Sequence, residues 1–166
     1  MPPKIAVIVA MDEGRVVGNN GDIPWYLPED LKRVAKLTTG HTVLMGRKTY
    51  DSLPEKVRPL PRRLNVVVSR NPDKLDLPEG VQCISDPNAY IESAKNGKQE
   101  IQGEFLWVFG GEQIWNLTKD HWEEIYLTRV KGKHEGDTWF PEFENGFELV
   151  EEKDMGDYSL QLYKRR

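Results

Sequence analysis

The chain has 166 residues, 38% of them apolar, enough for one domain with a sizeable core and too few for two, so residues 1–166 are read as a single domain. Its 27 acidic and 23 basic residues are interleaved and sum to a formal net charge of -4, which leaves no polybasic face for nucleic acid or membrane and points to small molecules as partners. Cys83 alone excludes an internal disulfide framework, His41, His121 and His134 are scattered without metal-ligand spacing, and MPPKIAVIVAM is too short an apolar run for a signal peptide or spanning helix, so a reducing, cytoplasmic setting is expected.

In chain order, apolar runs predict strands at Ile5 to Met11, Thr42 to Met45, Leu64 to Ser69, Val81 to Ile84, Phe105 to Phe109 and Glu124 to Val130. Several are continuous enough to be buried on both faces, and helical patterns lie between them. Pro54 to Arg63 and Asn71 to Gly80, punctuated by proline and charge, read as surface loops. Phe147 to Lys153 and Tyr158 to Lys164, joined by DMGD, read as an antiparallel pair closing one edge. The expectation is a three-layer α/β domain around a mostly parallel sheet.

The helix that follows IPWY carries the first chemical signal. Begun at Pro28, where a missing amide costs least, it gathers Glu29, Lys32, Arg33 and Lys36 on one side and Leu27, Leu31, Val34, Ala35, Leu37 and Thr38 on the other. Asp30 falls inside the apolar stripe. An Asp in a first helical turn can simply serve the unpaired amides and the helix dipole, but Glu29 can do that from the solvent side. An inward carboxylate needs hydrogen bonds or a cation to offset its desolvation, which suits a polar anchor in an apolar pocket.

Three strand ends carry the second. TVLM runs into GRKTYDSL, NVVVS into RNPD, and FLWVF into GGEQIWNL. In an open parallel sheet such ends share one edge, where helix N-termini and backbone amides receive ligands. Neither G-x-G-x-x-G nor a Walker loop is present, so an ordinary dinucleotide-binding dehydrogenase is disfavoured. Arg47, Ser69 and Arg70 suit a dianionic phosphate such as the adenosine 2'-phosphate of NADPH, and Gly110-Gly111 suits close passage of a cofactor or a tight turn.

Taken in order, AMDEGRVVGNNGDIPWYLPEDL, VLMGRKTYDSL, RPLPRRLNVVVSR, VFGGEQIW, IYLTRV and EGDTWFP resemble the bacterial dihydrofolate reductases over nearly the whole chain. That resemblance implies an eight-stranded mixed sheet flanked by helices. It also implies NADPH as cofactor and reduction of 7,8-dihydrofolate to 5,6,7,8-tetrahydrofolate, by hydride transfer to pterin C6 with protonation of N5, in support of one-carbon metabolism. A small monomeric enzyme and an antifolate target are expected on the same ground.

The resemblance also assigns residues. Asp30 is the acidic group that accepts from the 2-amino and N3 side of the pterin, Thr128 supports it through its hydroxyl, and Trp25 with the mobile Met11 to Pro24 loop controls the water that brings the N5 proton. Val9 and Ala10 offer backbone to the pterin pocket, Ile23 packs near the nicotinamide, Leu31 and Leu60 line the substrate cleft, and Arg63 forks onto the glutamate α-carboxylate. Gly46, Arg47, Lys48 and Thr49 form one phosphate-binding segment, Ser69 and Arg70 a second, and Gly110, Gly111, Glu112 and Gln113 a third, with a cis Gly-Gly peptide. Ala10, Ile23 and Phe109 serve substrate and cofactor alike. Three positions depart from the pattern: Val34 replaces a Phe over the p-aminobenzoyl ring, Trp115 replaces a Tyr near the nicotinamide, and Phe109 replaces a smaller aliphatic residue beside the pterin. These changes bear on affinity and inhibitor selectivity more than on chemistry. Two other readings use the same cradle: a riboflavin-pathway reductase acting on a ribosylamino-pyrimidine, and a nucleotide-binding regulatory module without turnover.

Overall fold

The computed structural model describes residues 2–72 and 77–166, so residues 73–76 of the expected Asn71 to Gly80 loop lie outside the described residues. Eight strands form one sheet in the order β5-β4-β3-β6-β1-β7-β10-β9. They are β1 (Lys4–Asp12), β3 (Thr42–Gly46), β4 (Leu64–Val68), β5 (Gln82–Ile84), β6 (Phe105–Gly110), β7 (Glu124–Val130), β9 (Phe147–Asp154) and β10 (Tyr158–Arg165). Strands β1 and β3 to β7 pair in parallel, while β10 runs antiparallel to both β7 and β9, the expected closing edge.

Alternation along the strands sends side chains to two layers. Ile5, Val7 and Met11 of β1, Leu106 and Val108 of β6, and Ile125 and Leu127 of β7 share one cluster with Ile91 of helix α3 (Pro87–Lys95) and Ile114 of α4 (Glu112–Thr118). Trp122, Phe140, Phe143 and Phe147 complete that layer. Ala6, Ile8, Val43, Met45, Val67 and Trp107 face the opposite way, toward Tyr50 of α2 (Arg47–Ser52) and Val34 and Leu37 of α1 (Pro28–Thr38). Each fully buried aliphatic or aromatic side chain contributes roughly 1.5–3 kcal/mol, so both layers are needed to offset the entropy of ordering the chain.

One element escaped the sequence. Val16–Gly18 (β2) pairs antiparallel with Thr138–Trp139 (β8) as a small separate ribbon, drawing EGDTWFP against the loop before Trp25. Strands of three and two residues are too short to show a period of two. Gly136 is fitted to this contact, since a Cβ there would lie 2.3 Å from Val16 Cγ1 and 2.7 Å from the Gly18 carbonyl oxygen.

Candidate active site

Helix α1 begins where Pro28 predicts, and Asp30 is 6% exposed. The carboxylate does not cap the helix: α1 has no side-chain cap at its start. Instead Oδ1 of Asp30 accepts the Thr128 hydroxyl at 2.9 Å, and Thr128 is itself 2% exposed on β7. Thr128 pairs in register with Ala10 of β1, which brings the carboxylate, the hydroxyl and the Ala10 backbone to the C-terminal end of the central strands. Val9 turns its side chain into the opposite layer, leaving backbone as the part it can offer on the Asp30 side.

The rest of α1 differs from its helical projection. Leu31, on the expected inward stripe, is 55% exposed, whereas Arg33, on the expected solvent side, is largely covered and sits with Nη1 3.4 Å from Asp30 Oδ1. The reason is geometric. The apolar packing of α1 on the sheet comes from its second half, through Val34 and Leu37 beside buried Thr38, while its first turn meets the sheet through Asp30 on Thr128 and leaves Leu31 uncovered. Arg33 is 300° from Asp30 along the helix, which is 60° by the shorter way, and a long side chain spans that gap. Spacing of i,i+3 was the available signal.

At the far end of α1, Arg63 donates from Nη1 to Thr38 Oγ1 at 3.0 Å and from Nε to the Pro61 carbonyl. It follows Leu60, which is buried and fixed by reciprocal hydrogen bonds with the Asn65 side chain. Val34 and Phe109 are half-buried against the same cluster as Leu60. Asp30, Val34, Leu60, Phe109 and Arg63 therefore share one side of the sheet.

The three predicted strand ends meet at its C-terminal edge. Gly46 ends β3 opposite Val68 of β4, Met45 pairs with Gly110 of β6, and Gly46 and Gly111 precede α2 and α4 with no side-chain cap on either helix. Arg47, Lys48, Arg70, Glu112 and Gln113 are exposed there, with Thr49 and Ser69 half-buried. Arg47 is paired with Asp51 at 3.5 Å, and Ser69 Oγ accepts the Asn71 amide. The Gly110-Gly111 peptide is cis, as is Arg58-Pro59. The two glycines have different reasons to be glycine: Gly110 has φ +127 and a Cβ would lie 2.7 Å from the Trp115 ring, whereas a Cβ on Gly111 would make an ordinary contact with Thr49.

Trp115, expected near the nicotinamide, stands directly behind Gly110 of the third segment: a Cβ on Gly110 would lie 2.7 Å from its ring. It is 4% exposed, packs edge-on to Phe140 at 4.9 Å and joins the core cluster of that layer.

Ile23 and Trp25 sit on the loop leading into α1; Ile23 is 61% exposed, while Trp25 is half-buried edge-on to His134 with ring centroids 5.2 Å apart. The anchor of this loop was not foreseen. Asp12, fully buried at the end of β1, accepts the Gly14 and Val16 amides on Oδ1 at 2.8 and 2.9 Å, and the His134 amide on Oδ2 at 2.6 Å, with the His134 ring nitrogen 3.1 Å away. Burial pushes this carboxyl up, but hydrogen bonds from Val16, from the His134 backbone and ring, and from Gly14 together hold it below the usual 3.8. Asp137 adds a second tie, accepting the Asn20 amide at 3.0 Å.

Comparison with known proteins agrees with the geometry. The family model for dihydrofolate reductase matches residues 4–164. The chain is 35% identical to dihydrofolate reductase HdrB of Haloferax volcanii over 165 residues, covering 98% of this chain and 84% of the relative. It is 35% identical to the dihydrofolate reductase of Bacillus subtilis over 170 residues, covering 98% and 95%. The solved dihydrofolate reductase of Enterococcus faecalis, complexed with NADP(H) and RAB-propyl, superposes with a TM-score of 0.82 at 29% identity, covering 98% of this chain and 96% of that one.

Proposed function

Because the chain belongs to the dihydrofolate reductase family, we propose that its buried Asp30–Thr128 pair and its three adjacent strand ends divide the work of one reaction between substrate anchor and cofactor cradle. The protein is an NADPH-dependent oxidoreductase that reduces 7,8-dihydrofolate to 5,6,7,8-tetrahydrofolate. The observation that carries the residue assignment is the Thr128 hydroxyl on Asp30 Oδ1, because it orients a carboxylate that helix capping does not use.

Asp30 binds the 2-amino and N3 edge of the pterin and, as an anion in a largely dry pocket, favours substrate protonated at N5. Protonation makes C6 more electrophilic, so the carboxylate acts electrostatically without reaching N5. Trp25, held against His134, and the loop tied to Asp12 admit the water that delivers the proton. Ala10, Ile23, Leu31, Val34, Leu60 and Phe109 line the substrate cleft, and Arg63 binds the glutamate tail.

The cradle fits NADPH by the chemistry of its donors: two uncapped helix starts beside glycines, a hydroxyl at Ser69, and exposed guanidinium groups at Arg47 and Arg70. When bound, NADPH supplies the hydride. Gly46, Arg47, Lys48 and Thr49, with Ser69, Arg70, Gly110, Gly111, Glu112 and Gln113, hold and orient it.

We read residues 1–166 as one domain working as a cytoplasmic monomer on small molecules, without nucleic acid or membrane, a reading supported by the eight-stranded sheet that joins the first strand to the last, the mixed surface charge and the one cysteine. Among the described residues no helix is long and apolar enough to cross a membrane. The decisive assay follows NADPH oxidation with dihydrofolate and, separately, with a ribosylamino-pyrimidine. Turnover with dihydrofolate alone is expected; turnover with the pyrimidine, or none with either, would count against the assignment.

A further inference from the structure

Arg33 and Thr128 reach the same oxygen of Asp30 from two different elements. Arg33 comes one turn along α1 and Thr128 from β7, at 3.4 and 2.9 Å from Oδ1, and among the described residues no donor reaches Oδ2. A guanidinium fork that gripped both oxygens would take the carboxylate out of use. A grip on one oxygen fixes its rotation and keeps the second acceptor. The Arg33 side chain is only 25% exposed, so solvent screens its charge less than that of a surface arginine.

We infer that Arg33 is a positioning residue for the reduction: it holds Asp30 by Oδ1 so that Oδ2 serves the pterin, and it keeps a fixed positive charge beside that contact. The inference rests on Asp30 being the pterin anchor. A carboxylate and a bound base that share a proton titrate as a pair, and a cation beside either one lowers the proton affinity of both. The direction is therefore fixed without deciding which atom carries the proton.

The surrounding charges leave this effect to Arg33. On α1, Glu29 and Lys32 offset each other at 3.6 Å on the exposed face. On β7, Thr128 is neutral. Tyr126 is pushed up to about 12, by burial first, then by the charge and hydrogen bond of Glu124 and the charge of Glu151 on β9, with Arg33 opposing, so its hydroxyl stays neutral in the working range. Glu124 is itself engaged by Lys4 and Lys164.

The experiment measures single-turnover hydride transfer against pH in the wild type, Arg33→Met, Arg33→Gln, Arg33→Lys and Asp30→Asn. The midpoint of the Met and Gln variants should move to higher pH by on the order of half a unit, about threefold in proton affinity, while Lys stays with the wild type. A protonated 2,4-diaminopyrimidine, titrated by tryptophan quenching without cofactor, should bind both neutral variants a few fold tighter because a repelling cation is gone. If Arg33 only supported the fold, Met and Gln would lower the rate at every pH and leave the midpoint and the diaminopyrimidine affinity where they are; that result overturns the inference. Asp30→Asn separates the two levels. Unchanged transfer in that variant removes the anchor reading and Arg33 with it, whereas slowed transfer beside an unmoved Arg33→Met midpoint removes Arg33 alone.

Discussion

The Thr128 hydroxyl donates to Oδ1 of Asp30 at 2.9 Å, joining a strand and a helix 98 positions apart in the chain. Such a bond can orient a carboxylate without neutralising it. Asp30→Asn keeps an oxygen for Thr128 and the same volume, so the fold and NADPH binding should persist while hydride transfer at neutral pH falls about a hundredfold or more, with partial recovery in acid. Single-turnover rates at neutral and acidic pH check this, and an unchanged neutral rate would take Asp30 out of the mechanism.

The two arginines of the cradle should not count equally. Both are exposed, but Arg47 is paired with Asp51 at 3.5 Å, whereas Arg70 has no ion pair among the described residues. Arg70→Ala should weaken NADPH about tenfold, Arg47→Ala somewhat less because it must first leave Asp51, and both should leave NADH nearly unaffected. Fluorescence titration with the two cofactors reads the difference. Equal losses for NADPH and NADH would mean that neither guanidinium contacts the 2'-phosphate.

Asp12 makes part of the acid sensitivity predictable. Its carboxyl is held below the usual 3.8, by hydrogen bonds that outweigh its burial, so the folded state binds its proton more weakly than the unfolded chain does. The stability it contributes is complete above that ordinary value and is lost as pH falls through the lower folded one. Asp12→Asn accepts through one oxygen instead of two and leaves donors among Gly14, Val16 and His134 unsatisfied, which should cost about 1–3 kcal/mol at neutral pH and flatten the acid limb of stability. Urea midpoints measured from neutral pH into strong acid test both parts. An acid limb as steep as that of the wild type would assign the sensitivity to other carboxylates.

The parallel part of the sheet was legible because its inner strands are buried on both faces and read as apolar runs, as Thr42 to Met45 does on β3, and Glu124 to Val130 agrees with the structure at both ends. Asp30 was legible because a carboxylate on an apolar stripe breaks a pattern. Arg33 was hidden because a helical projection assigns a side by angle and takes no account of reach, and Leu31 was misplaced because the projection treats α1 as packed along its whole length. Trp115 shows what a position in a motif leaves open: its ring is 4% exposed and stands against Gly110, a depth that the sequence does not record. The Asp12 anchor joins residues 122 apart, a separation that no local pattern records.

Val34 allows the sharpest test of the substrate cleft. It lies one turn beyond Asp30 on α1, its carbonyl accepts the Thr38 hydroxyl at 2.8 Å, and Thr38 in turn receives Arg63, so it stands between the proposed pterin anchor and the proposed holder of the glutamate tail. On that proposal the p-aminobenzoyl ring passes it. Val34 is half-buried rather than enclosed, and Leu31 beside it on the helix is 55% exposed, so this part of the helix face is not closed over. Val34→Phe should then tighten folate binding about two- to tenfold, the range expected for roughly 0.5–1.5 kcal/mol of contact between aromatic rings. Hydride transfer should change little because the reacting atoms lie nearer Asp30. The competing effect is overpacking against the cluster of Leu60, Phe109 and Leu37, which would strain the helix and weaken binding instead. Folate titrated into both proteins saturated with NADP⁺ separates the two, and weaker binding by the Phe variant would show that this wall of the cleft is already filled.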